Sequence, residues 1–186
     1  ISGKIGMINV NTEKIKEFTP TKALEGPEAM IFDDENNLWI AEHTGTAIRK
    51  FDLFLNTFEQ ISVPDENSLP FGMILDKYQN LWIAQHVVDS IAVYDSMNQE
   101  FIEIQIPSKG SFTQFNTIDD EGSVWFVEQK NNKLGKITIS EVVNLSSQVS
   151  DEKELSFEIR YAYLVAPIFT IGIIVSSLFF VKSVKD

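Results

Sequence analysis

Asn37-Leu38-Trp39-Ile40-Ala41-Glu42-His43 returns as Asn80-Leu81-Trp82-Ile83-Ala84-Gln85-His86, and again as Ser123-Val124-Trp125-Phe126-Val127-Glu128-Gln129. The three tryptophans, all that the chain has, stand at 39, 82 and 125, a constant step of 43 residues. A fixed step of about 40–45 residues between strand-like units is the pattern of a propeller. The flanks keep the same step. Ile48, Ile91 and Leu134 correspond, as do Phe51, Tyr94 and Ile137, and one step back lands on Ile5 and Ile8. The chain therefore begins in the third quarter of a unit, then holds two whole units and most of a fourth.

Each unit reads as four short strands. In the first whole unit these are Glu28–Asp33, Leu38–Glu42, Ala47–Asp52 and Thr57–Val63, the last ending at Pro64. Asp34-Glu35-Asn36 is the tight turn between the first two strands, matched by Lys77-Tyr78-Gln79 and Asp120-Glu121-Gly122. Asn and Gly there tolerate left-handed backbone. Four antiparallel strands per unit, arranged radially, make a β-propeller blade. The expected fold is all-β, with about three and a half blades in residues 1–145 and boundaries near 26, 69 and 111. Trp39, Trp82 and Trp125 are expected to pack blade against blade. Because propellers close with four or more blades, the remainder is expected from another chain or, the favoured source, from sequence upstream of Ile1.

Composition sets outer bounds. The 186 residues are 44% hydrophobic and 23% charged, which suits a packed core. A net charge of −12, from 15 basic and 27 acidic residues, argues against a nucleic-acid backbone as partner. With no cysteine there is no disulfide, thiolate metal ligand or cysteine nucleophile. Neither a glycine-rich phosphate loop nor a Gly-x-Ser-x-Gly elbow is present.

Beyond Ile139 the repeat fades. Glu141–Leu145 is expected as the fourth strand of the last blade, and residues 146–158 as a polar stalk. Asn144-Leu145-Ser146 matches a glycosylation acceptor. Tyr161–Val181 carries no charge over 21 residues, long enough at about 1.5 Å per residue to cross a bilayer core. A transmembrane helix is expected over 159–182, with a cytoplasmic tail over 183–186. Lys182 and Lys185 after the span place the C-terminus inside and the propeller outside, at the cell membrane. Gly172, Ser176 and Ser177 are small residues that allow another helix to pack against the span.

Alternation and blade topology put Glu28, Glu42 and His43 at one rim. Phe71, Gln85 and His86, then Gln114, Glu128 and Gln129, hold the equivalent places. Such a ring of carboxylate, amide and imidazole at a channel mouth is a candidate ligand or cation site, set against a merely solvated rim. His43 and His86, the only histidines, share one repeat position and are expected to approach each other across neighbouring blades. The pairs Asp33-Asp34 and Asp119-Asp120 read as turn residues, not calcium ligands.

Gly26-Pro27-Glu28-Ala29-Met30-Ile31-Phe32-Asp33 with Asn37–Glu42, Pro70-Phe71-Gly72-Met73-Ile74 with Leu81-Trp82, and Asn132–Ile137 resemble the virginiamycin B (streptogramin) lyase family and the looser NHL-type propellers. The resemblance implies a seven-bladed propeller that opens the streptogramin ring by elimination with Mg²⁺. It also implies a histidine base after the blade's Pro and a glutamate fourteen positions later. The matching pairs here are Glu28 with Glu42, Phe71 with Gln85, and Gln114 with Glu128, so the histidine position holds Glu, Phe and Gln. Two readings follow: a membrane-anchored binding or scaffold module for a small ligand or membrane-complex partner, or a Mg²⁺-dependent lyase whose base lies on blades upstream.

Overall fold

The computed structural model describes residues 3–139 and 157–163, and all of its regular structure is antiparallel β-sheet. A two-stranded piece, β1 (Ile5–Ile8) and β2 (Ile15–Phe18), precedes three four-stranded meanders. The first meander is β3 (Pro27–Phe32), β4 (Asn37–Glu42), β5 (Ala47–Asp52) and β6 (Thr57–Ser62). The second is β7 (Pro70–Leu75), β8 (Leu81–Gln85), β9 (Ser90–Asp95) and β10 (Glu100–Gln105). The third is β11 (Thr113–Ile118), β12 (Val124–Glu128), β13 (Lys133–Ile139) and β14 (Phe157–Tyr163). Each meander is a propeller blade, and β7 lies between β3 and β11 of its neighbours.

The core sits in the seams between blades. Successive side chains of a strand point to opposite faces, so each second strand feeds two seams. Leu38 and Ile40 face back onto Ile5, Phe18 and Leu24, while Trp39 and Ala41 face forward onto Met73, Leu81, Ile83 and Tyr94. One step on, Trp82 and Ala84 meet Val124, Phe126 and Ile137. Trp39 and Trp82 are 2% and 3% exposed, as expected of blade-to-blade packing. Trp125 is half-buried, because its face points away from both seams of the described residues. Fully burying one such aromatic contributes on the order of 2–3 kcal/mol.

Each tryptophan is also tied to the turn before it. Asp33 Oδ1 accepts from the backbone N–H groups of Glu35 and Asn37, and its Oδ2 accepts from Trp39 Nε1 at 2.9 Å. Asp76 with Trp82 (3.1 Å) and Asp119 with Trp125 (2.8 Å) repeat the arrangement. These aspartates close turns, as read from the sequence. At Asp33, burial pushes the carboxyl up, but hydrogen bonds from Asn37 and Trp39 outweigh it and leave it lowered. The Trp125 indole leads the bonds that lower Asp119 to about 2.

The third blade departs from expectation at its end. Strand β14 occupies the fourth position, pairing Phe157 with Ile139 and Tyr163 with Lys133. Residues 157–163, expected to close a stalk and begin a helix, are thus strand. The alternation Phe157-Glu158-Ile159-Arg160-Tyr161 explains it: period two, which suits a sheet and not a helix. The expected strand Glu141–Leu145, most of the stalk and residues 164–186 of the span and tail lie outside the described residues. Among the described residues no helix is long and apolar enough to cross a membrane.

Candidate functional site at the channel mouth

Every innermost strand carries a β-bulge at the same repeat position. Pairing slips between Pro27 and Ala29, between Pro70 and Met73, and between Thr113 and Asn116. The bulged residues are Glu28, Phe71-Gly72 and Gln114-Phe115, and they include Glu28, Phe71 and Gln114, where the resemblance implies a histidine. A bulge bends its strand and re-aims its side chains, and each of these lies at the strand end that pairs with the end of the second strand, beside the turns carrying His43, His86 and Gln129. Gly72 is required by this packing, since a Cβ there would lie 2.5 Å from Gln114 O of the next blade.

The bulges and the turns after the second strands together form one aromatic and imidazole cluster. The rings of His43 and His86 lie 5.3 Å apart, so the expected approach across neighbouring blades is realised. Phe71 stands edge-on to both, at 5.4 and 5.5 Å, and edge-on to Phe115 at 5.2 Å. Phe112 packs on His86 at 3.8 Å, and Lys130 Nζ sits 3.8 Å from the Phe112 ring centre. Phe112 holds a left-handed φ of 57°, a conformation costly for a bulky residue and one that concentrates at functional sites. Its counterparts one and two steps back are Leu69 and Gly26, both also left-handed.

Hydrogen bonds fix both imidazoles. His43 Nδ1 lies 3.3 Å from Pro70 O, and with Nδ1–H donating, Nε2 keeps its lone pair. Gln114 Nε2 lies 3.2 Å from His86 Nε2, so His86 accepts from the amide. His86 Nδ1 is buried without a hydrogen-bond partner. Burial, then the charges of His43 and Lys130, lower the His86 pKa below the ordinary 6.5, opposed by Glu28. At neutral pH His86 is therefore an uncharged imidazole.

The other expected rim residues are elsewhere. Glu42 is 0% exposed, and its carboxylate takes Arg49 Nη2 at 2.8 and 2.9 Å, Arg49 Nε at 3.1 Å and the Glu25 N–H at 2.9 Å. It is an internal ion pair that fastens the linker into its blade. Gln85 is equally buried and donates to Ser90 Oγ and Glu103 Oε1. Glu128 is 1% exposed and accepts from Asn131 Nδ2. The sequence reading joined these three to the mouth because they end the second strands. Alternation instead turns them into the seams, one residue short of His43, His86 and exposed Gln129. Glu28 is exposed at the mouth, close enough to act on His86.

The residues that the sequence reading missed are Phe112, Phe115, Lys130 and Arg49. Arg49 was detectable, because Ala92 and Gly135 hold its repeat position and a lone charge among small residues marks a special partner. The donor set does not fit Mg²⁺, which wants open oxygen ligands. Glu42 is spent on Arg49, Gln85 is neutral, Glu128 is inside a seam, and the mouth offers phenyl rings and imidazoles. Among the described residues no three His, Cys, Asp or Glu side chains are grouped to hold a metal.

Comparison with known proteins bears on the fold and the family. A streptogramin B lyase structure is similar with a TM-score of 0.67 at 27% identity, over 74% of this chain and 45% of that one. A catalytically inactive His-to-Ala virginiamycin B lyase from Staphylococcus aureus, solved with quinupristin, gives 0.69 at 18% identity, over 87% of this chain and 59% of that one. The extracellular domain of a protein assigned to a hybrid two component system of B. thetaiotaomicron gives 0.61 at 14% identity, over 87% and 25%. The chain thus spans about half the length of the lyases it resembles. No curated protein matches it significantly. The model of the virginiamycin B lyase family matches residues 1–152. With four-stranded blades on a 43-residue step and that match across most of its length, the chain belongs to the virginiamycin B lyase family.

Proposed function

We propose that this chain is a binding module, a β-propeller held at the outer face of a cell membrane whose channel mouth takes a small ligand or a segment of a membrane partner. One observation carries the reading: the family's histidine position is filled by Glu28, Phe71 and Gln114, so no described blade carries a histidine there, and Phe71 instead joins His43, His86, Phe112 and Phe115 in one cluster of rings. Phenyl and imidazole rings at a bulged rim give contact area with few rotatable bonds, which favours binding over proton transfer.

The anchor follows from the sequence. Leu164–Val181, directly after β14, has no charged residue, and Lys182 and Lys185 follow it. β14 runs antiparallel to β13 and ends opposite Lys133, on the side of the mouth.

The second reading is streptogramin ring opening, favoured by the family match and by the lyase at 27% identity. It requires a base and Mg²⁺ ligands from beyond the described blades. Titration of the full chain with quinupristin, with and without Mg²⁺, separates the two. Binding that is lost in Phe71→Ala, with quinupristin recovered intact, supports the module. Mg²⁺-dependent ring opening overturns it in favour of the lyase.

A further inference from the structure

Each histidine reaches across a different seam. His43, on the turn after β4, contacts Pro70 of the second blade, and its backbone N–H is held by Gly26 O. His86, on the turn after β8, contacts Gln114 and Phe112 of the third blade, and its N–H is held by Leu69 O. The two rings then meet each other, so both seams close on one imidazole pair.

We propose that the His43–His86 pair is an acid-sensitive latch on the two blade seams, closed when His86 is neutral and released when it takes a proton. Geometry makes the proton unwelcome. His86 accepts from the Gln114 amide through Nε2, so a proton there opposes an N–H to an N–H and the amide must turn. Nδ1 already carries the neutral ring's single N–H, so Nε2 is the one site left for an added proton. His86 is 9% exposed, with Phe71 and Phe112 around it, so little water reaches the ring to solvate a cation. The titratable and charged groups that act on it are His43 from the turn after β4, Lys130 from the turn after β12, and Glu28 from β3. Two of these are basic, and the acidic one is exposed.

The sign follows from linkage. A histidine whose folded pKa lies below its unfolded value binds fewer protons folded than unfolded. Stability is then complete above the ordinary pKa of 6.5 and falls as the pH drops from there toward the lowered value. Asp33, Asp89 and Asp119 are also depressed, but from 3.8, so their loss begins well below the histidine window.

The test uses the full chain with ring-labelled histidine, followed by NMR from about pH 7.5 to about pH 5, where an ordinary imidazole changes charge. One imidazole, assigned by its absence in His86→Phe, titrates below 6.5 and moves with the Gln114 side-chain amide. Amide protection at positions 43 and 86, corrected for intrinsic exchange, falls by about tenfold across that range and not in His86→Phe. Glu28→Gln pushes the titration lower still. Should His86→Phe not fold, His86→Gln replaces it, and the wild-type titration decides alone if neither folds. A His86 that titrates at or above 6.5, or protection lost equally in wild type and variant, overturns the latch.

Discussion

Arg49 and Glu42 form a buried ion pair in which each partner exists for the other. Arg49 is 3% exposed and Glu42 is fully enclosed, and the guanidinium also reaches Lys22 O and Gln60 Oε1. Two charges taken from water repay the desolvation only through such complete pairing, and removing one leaves the other stranded. Glu42→Gln or Arg49→Ala therefore costs about 3–5 kcal/mol. The double change Glu42→Leu with Arg49→Met costs far less than the sum, since both charges leave together. Urea unfolding of the single and double variants gives the coupling energy. If the singles prove mild, Glu42 is not locked and returns as a ligand candidate at the mouth. The turn aspartates obey a similar rule at the other end of the blade, where one carboxylate holds two backbone N–H groups and an indole.

At the scale of strands, the bulge is the device that makes a mouth. An unbroken β7 would keep Phe71 in step with its neighbours; the bulge spends a residue and lets Gly72 press against β11. Gly72→Ala puts a methyl group against the Gln114 carbonyl, a backbone atom that cannot turn aside, and lowers stability by about 1–3 kcal/mol. Gly6→Ala, where an added Cβ meets nothing within 4 Å, serves as the control and is neutral or slightly stabilising. Thermal unfolding of the two variants checks the contrast. This level of structure was only partly legible beforehand. The period was visible because every seam needs the same large aromatic at the same place, and the left-handed turns recur with it at Asn36, Gln79 and Gly122. The bulges were not, since pairing slips by one residue without changing composition. Strand β14 was hidden by its company: its alternating residues run straight into an apolar stretch, and length spoke louder than period. At the mouth, His43 and His86 were found from their shared repeat position. Phe112 and Lys130 were not, because contact between a linker and a turn of the same blade leaves no spacing to read.

For the molecule as a whole, stability is a sum over seams, because a blade touches only its neighbours and no single centre unites them. Two seams are complete among the described residues, one filled by Trp39 and the other by Trp82. The third tryptophan stands at the equivalent place, on a face that no described blade covers. Its indole is still bonded to Asp119 and overlain by Lys136, so its turn is intact while its packing surface is half open. Substitution should therefore separate the three by seam rather than by residue type. Trp39→Ala and Trp82→Ala each empty a closed seam and cost about 3–5 kcal/mol, with the cavity adding to the lost transfer energy. Trp125→Ala in the same chain loses the turn bond and part of the burial, and costs about 1–2 kcal/mol less. Denaturant unfolding monitored by circular dichroism, which does not depend on the indoles, gives all three values. Three equal losses would mean that Trp125 is covered as fully as the others in the molecule in solution, by a further blade or a second copy. Separate transitions in Trp39→Ala, by contrast, would show that one weakened seam uncouples the blades on either side of it.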